Sequence, residues 1–179
     1  MNILADTELM QFRDQGFLVR PGMIPEDYCT HLRSVVEQQL HEIVEPVEYE
    51  VDVQYPGSPV SAEEEGGQTI RRLLGAYRRH PLFKEIATLD SITEILKTLF
   101  EQPTIKLSQC HHNCVMTKHP RYSSVTYWHQ DNRYWSFEQE NLISVWTALG
   151  SETKDNGCLR VIPGSHQMAF DAEQLDDKL

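Results

Sequence analysis

An imidazole and a carboxylate stand two residues apart in segment 127–131, which reads Y-W-H-Q-D. In an extended strand, residues two apart point to the same side, so the side chains of His129 and Asp131 can converge on one point. They would form two corners of a 2-His-1-carboxylate triad, which leaves three adjacent positions on a ferrous ion open for a co-substrate and oxygen. Taken alone, an H-x-D pair is more often a surface ion pair at the end of a strand, so its surroundings decide.

Aromatic residues crowd this segment. They are Tyr127, Trp128, Tyr134, Trp135 and Phe137. Aromatic walls suit a dry pocket that shields a reactive oxidant, which favours the metal-site interpretation. The alternative is that these side chains simply belong to the hydrophobic core.

A second group of metal-binding residue types surrounds Cys110 and Cys114, which are spaced C-x3-C with His111 and His112 between them. A zinc site there would need a second ligand pair at a matching spacing, and the sequence has none. We therefore expect four free thiols, as is usual in a reducing cytoplasm.

The elements that would carry these residues begin with helices. Residues 7–15 have a helical pattern with Gly16 as its stop, and a short strand is expected at 17–19. Pro25 suits the start of the next helix, and apolar residues then recur at helical spacing as far as Ile43, over about five turns.

The middle of the chain is predicted to be a loop followed by more helix. Residues 44–69 are rich in proline and glycine and contain the acidic run 63–65, which is typical of a solvated loop. Pro81 is expected to open a helical turn. Ser91 and Glu94 then have the spacing of a capping box in front of another amphipathic helix.

After Pro103 the pattern changes to short apolar segments, each bounded by turn residues. The predicted strands are 104–107, 113–117, 123–129, 141–149 and 157–162. Helices followed by strands indicate an α+β protein, in which an antiparallel sheet packs on the leading helices.

The composition excludes several kinds of partner. The 179 residues are enough for one domain, and 27 acidic against 16 basic residues give a net charge of -11. Such a balance repels nucleic acid and anionic membrane surfaces. The first ten residues have no secretory pattern, and no apolar stretch is long enough to span a membrane. We expect a cytoplasmic protein, and the sequence does not indicate its oligomeric state.

Four ordered segments resemble the phytanoyl-CoA dioxygenase family. Residues 129–135 resemble its H-Q-D-x-x-Y motif, and 144–149 resemble its W-x-A-L-type strand. Residues 156–166 are similar to its N-G-C-L-x-V-x-P-G-S-H signature, and 12–19 resemble its entry before a long helix. Together the four matches span nearly the whole chain.

The resemblance implies a double-stranded β-helix, or jelly roll, preceded by helices and with iron at one mouth of the barrel. His129 and Asp131 would be ligands of Fe(II), and Trp146 would lie beside the co-substrate 2-oxoglutarate. Cys114 falls where the family often has a methionine against this co-substrate, and Arg72 matches an early basic residue that reaches it. A buried small side chain for Cys114 and a surface charge for Arg72 are the alternatives.

Two groups implied by the resemblance have no match in this sequence. In the family the second iron histidine, and an arginine that pairs with the far carboxylate of 2-oxoglutarate, lie beyond the P-G-S-H turn that contains His166. The chain ends thirteen residues after His166. We therefore expect residues 1–179 to be a single domain that is incomplete at its C-terminus, with several barrel strands missing.

The function implied is that of a non-haem Fe(II)/2-oxoglutarate-dependent dioxygenase, which hydroxylates an unidentified small organic substrate with O2. Related halogenases have a small residue in place of the carboxylate, so Asp131 favours hydroxylation. Two alternatives remain. One is a non-catalytic binding module on the same fold. The other is a cupin-like metalloprotein whose ligands are His129, Asp131 and His166.

Overall fold

The computed structural model describes residues 3–110, 113–135, 137–139 and 141–169, with only the main chain at 133 and 134. The helices in these residues are α1 (Asp6–Gln15), α2 (Glu26–His41), α3 (Glu50–Val53), α4 (Ala76–Arg79), α5 (Pro81–Ala87) and α6 (Asp90–Phe100). The strands are β1 (Val47–Tyr49), β2 (Ile70–Leu74) and β3 (Cys114–Met116). Three 3-10 turns follow, at Asp131–Tyr134, Lys154–Asn156 and Ser165–Gln167.

Local signals for helix ends are confirmed at most positions. Gly16 ends α1 in the left-handed conformation, with a φ of 82°, and its N–H donates to the carbonyl of Phe12. Pro25 directly precedes α2, and the helix ends at His41, two residues before the predicted end. Pro81 is the first residue of α5, where its missing N–H costs nothing.

The capping box predicted at Ser91 and Glu94 is wrong. Helix α6 begins two residues earlier than this box requires, at Asp90, and its N-cap Leu89 has no side-chain oxygen to bond the first turn. Glu94 therefore lies in the second turn, where it forms an ion pair with Lys97 at 2.7 Å.

A three-stranded antiparallel sheet, ordered β1-β2-β3, joins the middle of the chain to Cys114–Met116. Arg72 in β2 lies opposite Glu48 on one side and Met116 on the other. The strand predicted at 113–117 is thus confirmed as β3. The loop predicted at 44–69 is correct only in part, because it contains β1 and α3.

The other predicted strands are not formed in the described residues, where 17–19, 104–107, 123–129, 141–149 and 157–162 have no strand assignment. A strand needs a neighbour to accept and donate its main-chain hydrogen bonds. In 123–129, for example, the N–H of Val125 donates instead to the carbonyl of Pro56. The described residues thus form an α+β structure with one small sheet.

The core lies between the helices. Leu32 of α2, Ile86 of α5 and Ile92 of α6 are buried against one another, and Leu149 from the later part of the chain packs on them. Arg33 donates a hydrogen bond to the carbonyl of Leu149 and holds that segment on α2. Among the described helices, none is both long and apolar enough to pass through a bilayer.

Candidate functional site

His129 and Asp131 meet, as the H-x-D spacing predicts. Their side chains approach to 3.2 Å between Nε2 and Oδ1. Gln130 between them is extended, with φ -105° and ψ 129°, so that its neighbours point to the same side. The expected strand is not formed at this point, and Asp131 is instead the first residue of a 3-10 turn. One extended residue is enough to bring the two side chains together.

The other ring nitrogen of His129 defines its chemistry. Nδ1 lies 2.7 Å from the carbonyl oxygen of Tyr127, and a carbonyl can only accept, so Nδ1 carries a proton. In the neutral imidazole, Nε2 then presents a lone pair toward the Asp131 carboxylate, which is also an acceptor. Two acceptors at 3.2 Å repel each other unless a proton or a cation lies between them.

The side chain of Gln130 points away from this pair and anchors the segment. Its amide donates to the carbonyls of Ser165 at 2.9 Å and Met168 at 3.2 Å. Because Gln130 lies between His129 and Asp131 in an extended segment, its side chain must face the opposite side. The H-x-D spacing was therefore the signal in the sequence that this residue could anchor the segment. The H-Q-D motif is thus tied to the P-G-S-H turn.

His166 lies at the carboxyl end of α1. Its Nε2 is 3.1 Å from the carbonyl oxygen of Arg13, which also accepts from the side chain of Gln167 at 3.0 Å. The N–H of Gly164 donates to the carbonyl of Gln15. These contacts give His166 a structural partner far along the sequence and lend no support to its role as a third metal ligand.

Arg72 and Cys114 share one face of the sheet. Arg72 lies opposite Met116 and Cys114 lies opposite Leu74, so alternation points all four side chains to the same side. Arg72 is half-buried, with its Nε 3.5 Å from Glu48, and is not the surface charge of the alternative interpretation. Burial raises the pKa of the Cys114 thiol, and the positive charge of Arg72 opposes this effect.

Two tryptophans near the motifs have polar partners. The indole N–H of Trp146 donates to both carboxylate oxygens of Glu152, at 3.0 Å each. The guanidinium of Arg160 lies 5.0 Å from the ring centre of Trp128, a cation–π contact between the N-G-C-L segment and the residue before His129. The side chain of Tyr134, which belongs to the expected aromatic pocket, lies outside the described residues.

The cysteines are free thiols, as expected, with Cys110 exposed and Cys114 half-buried. His111 and His112, which the zinc alternative requires, lie outside the described residues. Within the residues that are described, no group of three or more His, Cys, Asp or Glu side chains is arranged to hold a metal ion.

Sequence reasoning missed the neighbour of Arg72. Arg71 is 1% exposed and forms a buried polar cluster with Glu50 and Ser124. The available signal was the pattern I-R-R-L-L in front of Gly75, since in a strand one of two adjacent arginines must face the side occupied by Leu73.

Comparisons with family models and with known proteins identify the same family. The model of the phytanoyl-CoA dioxygenase (PhyH) family matches residues 12–178. A Danio rerio protein named phytanoyl-CoA dioxygenase domain-containing protein 1 is 25% identical over 93% of this chain and 67% of its own length. The peroxisomal phytanoyl-CoA dioxygenase of Homo sapiens is 27% identical over 93% of this chain and 48% of its own length. No solved structure matches the chain.

A probable phytanoyl-CoA dioxygenase of Caenorhabditis elegans is 24% identical over 93% of this chain and 54% of its own length. The chain thus spans about half to two thirds of the length of these relatives. The family match covers the four motifs that carry the resemblance. The protein therefore belongs to the phytanoyl-CoA dioxygenase family.

Proposed function

We propose that this chain carries the ferrous site of an Fe(II)/2-oxoglutarate-dependent dioxygenase, with His129 and Asp131 as two of the metal ligands. The observation that carries the proposal is the 3.2 Å approach of Nε2 to Oδ1, with Nδ1 held by the carbonyl of Tyr127. Two neighbouring ligands at about 2.1 Å from an octahedral ion lie about 3 Å apart, so the separation suits a shared metal.

The residues of this chain would prepare the metal site. Tyr127 keeps the imidazole in the tautomer that offers Nε2, which is the usual arrangement behind a metal-binding histidine. Asp131 supplies a negative charge that favours a divalent cation. It also occupies the position that a halide would need, which favours hydroxylation. When bound, iron with 2-oxoglutarate and O2 supplies the oxidation, in which C–H becomes C–OH and the oxo acid becomes succinate and CO2.

Three further residues are proposed to contact 2-oxoglutarate. Arg72 offers a half-buried positive charge on the same sheet face as Cys114, which suits a dicarboxylate beside a small side chain. Glu48 balances part of that charge at 3.5 Å, so the co-substrate would compete with it for the guanidinium. Trp146 is assigned by its position in the W-x-A-L-type segment, and its indole N–H would have to leave Glu152 to bond the co-substrate.

The jelly roll belongs to the same proposal, with residues 1–179 as one domain of that fold. A second histidine and a carboxylate-binding arginine are expected further along the coding sequence, and reading it downstream of Leu179 tests this directly. A cytoplasmic location stays a prediction, since the human relative is named a peroxisomal protein.

The experiment is a coupled assay of O2 consumption and succinate formation by the product of the full coding sequence, with Fe(II) and 2-oxoglutarate, against a panel of acyl thioesters and small acids. We expect iron-dependent succinate without any need for halide, and loss of this activity in Asp131→Ala. Chlorinated product, or succinate formation that Asp131→Ala leaves unchanged, would contradict the proposal. Metal binding without oxygen consumption on any substrate would favour the non-catalytic binding module.

A further inference from the structure

A buried polar cluster lies just upstream of the His129–Asp131 pair. Its centre is Ser124, which is 3% exposed, between Arg71 at 1% and Glu50 at 0%. The Ser124 hydroxyl donates to Glu50 at 2.6 Å and accepts from Arg71 at 2.7 Å. Arg71 also lies 3.2 Å from the same Glu50 oxygen. We call these three residues the Ser124 cluster.

Every polar group of Ser124 is used. Beyond the hydroxyl contacts, its N–H donates to Glu50 at 3.1 Å, and its carbonyl accepts from the ammonium group of Lys118 at 3.1 Å. Ser124 is therefore held by side chains from α3, from β2 and from the residues after β3. A residue fixed at its N–H, its carbonyl and its side chain has little freedom to shift.

The cluster continues into the segment that leads to His129. Arg71 donates to the hydroxyl of Thr126 at 3.0 Å, so Ser124 and Thr126, two residues apart, both face its guanidinium. The residue between them, Val125, donates its N–H to the carbonyl of Pro56 at 3.0 Å. From Thr126 to His129 is only three residues, about 10 Å of extended chain.

The cluster is costly if its only role is stability. Buried charges lose hydration that an apolar cluster of equal volume would not lose. Moreover, Oε1 of Glu50 is buried without a hydrogen-bond partner, and Nε of Arg71 has only an ion pair with Glu48 at 3.4 Å. The charged groups instead fix the orientation of the segment, since the planar guanidinium of Arg71 bonds the hydroxyls of Ser124 and Thr126 at once.

We infer that Arg71, Glu50 and Ser124 are positioning residues for the metal pair, which set the direction in which segment 124–126 enters the His129–Asp131 site. The inference rests on the proposed function, because it assigns to the cluster the geometry of the proposed ligands. A substitution that loosens the cluster should therefore weaken metal binding more than a substitution elsewhere that lowers stability by the same amount.

The test is Mn²⁺ affinity, measured in the whole chain by the broadening of the backbone amide signals of residues 129–131. Thr126→Val removes the hydroxyl that bonds Arg71 and keeps the side-chain volume, and Ser124→Ala removes the central hydroxyl. The matched control is Thr98→Val, which deletes a hydrogen bond from a half-buried threonine of α6 to the carbonyl of Glu94 and leaves segment 124–126 intact. The urea midpoint of each variant measures its stability.

We expect Thr126→Val and Ser124→Ala to weaken Mn²⁺ binding by about fivefold, which is the loss expected for one hydrogen bond. Thr98→Val should lower the urea midpoint similarly and leave Mn²⁺ affinity unchanged. If Thr126→Val is folded and binds Mn²⁺ with wild-type affinity, the inference is overturned. It is also overturned if the control variant weakens Mn²⁺ binding as strongly as Thr126→Val does. If wild-type chain shows no broadening at 129–131, the proposed metal site itself is wrong.

Discussion

The imidazole Nε2 of His166 lies 3.1 Å from the carbonyl oxygen of Arg13, at the carboxyl end of α1. That end of a helix carries unsatisfied carbonyls and a partial negative charge, so a histidine N–H is a suitable partner there. The turn that contains His166 also receives the side chain of Gln130. The first helix thus supports the H-Q-D motif through one intermediate turn.

Replacing His166 separates the proposed site from the cupin-like alternative. We expect His166→Ala to lower thermal stability, because the carbonyl of Arg13 loses one of its two side-chain donors. Mn²⁺ affinity should stay at the wild-type value, since the imidazole is engaged at α1. The measurement is a melting curve beside a Mn²⁺ titration. Loss of Mn²⁺ binding in His166→Ala would show that this residue is a ligand.

Replacing Gly16 provides a second test of the contact between His166 and α1. It has a φ of +82°, and a methyl group on its Cα would overlap the imidazole of His166. We expect Gly16→Ala to destabilise the protein by about 1–3 kcal/mol, since it adds the cost of left-handed alanine to displacement of the imidazole. The measurement is the free energy of unfolding in urea.

The chain contains a matched control for that substitution. Gly22 has a similar φ of +70°, but a methyl group there meets nothing within 4 Å. Gly22→Ala should therefore show only the conformational cost. Equal destabilisation of the two variants would mean that the His166 contact with α1 contributes nothing.

Local signals predicted α1, α2, α5 and α6 but not the short α3, because a helix end depends on a few adjacent residues. The left-handed Gly16 and the proline at the start of α5 act within one turn. The error at Ser91 and Glu94 has the same local scale, since a start two residues earlier moves Glu94 out of the first turn. The approach of the H-x-D pair was equally predictable, because it needs only one extended residue between His129 and Asp131.

The sheet and the buried cluster depend on distant residues, which a local pattern cannot specify. Strand β2 pairs with β1 across the proline-rich stretch and with β3 across three helices. Ser124 and Glu50 are 74 positions apart, so neither residue by itself indicates that it is buried. The pair Arg71 and Arg72 shows this limit clearly, because only the formed sheet decides which arginine faces inward.

Replacing Asp131 tests the metal pair itself. Asp131→Asn keeps the shape of the side chain and removes its charge, and we expect Mn²⁺ affinity to fall by more than about 100-fold, beyond the usual cost of changing a residue behind a ligand. The exposed residue Asp155 lies outside the site, and Asp155→Asn should bind Mn²⁺ like the wild type. Unchanged affinity in Asp131→Asn would leave the 3.2 Å approach to His129 as a plain ion pair.

The Ser124 cluster should make stability depend on pH. Burial raises the pKa of Glu50, but hydrogen bonds from Ser124 and the charge of Arg71 outweigh it, so the pKa lies below its ordinary value of 4.5. A carboxyl with a lowered pKa binds protons more weakly in the folded state. Its stabilisation is therefore complete above pH 4.5 and is lost as the pH falls through the folded pKa.

Urea midpoints between about pH 6 and about pH 3 measure this effect, and we expect them to fall steadily in the wild type. Glu50→Gln should be less stable at neutral pH, because the buried charge of Arg71 then keeps only its longer ion pair with Glu48 at 3.4 Å, and its midpoint should fall less steeply with acid. Glu63→Gln, at an exposed position of the acidic loop, should follow the wild-type curve. A Glu50→Gln curve parallel to the wild type would mean that the pKa of Glu50 is the same in the folded and unfolded chains, and the cluster would then lack the stabilisation of the carboxylate assigned to it.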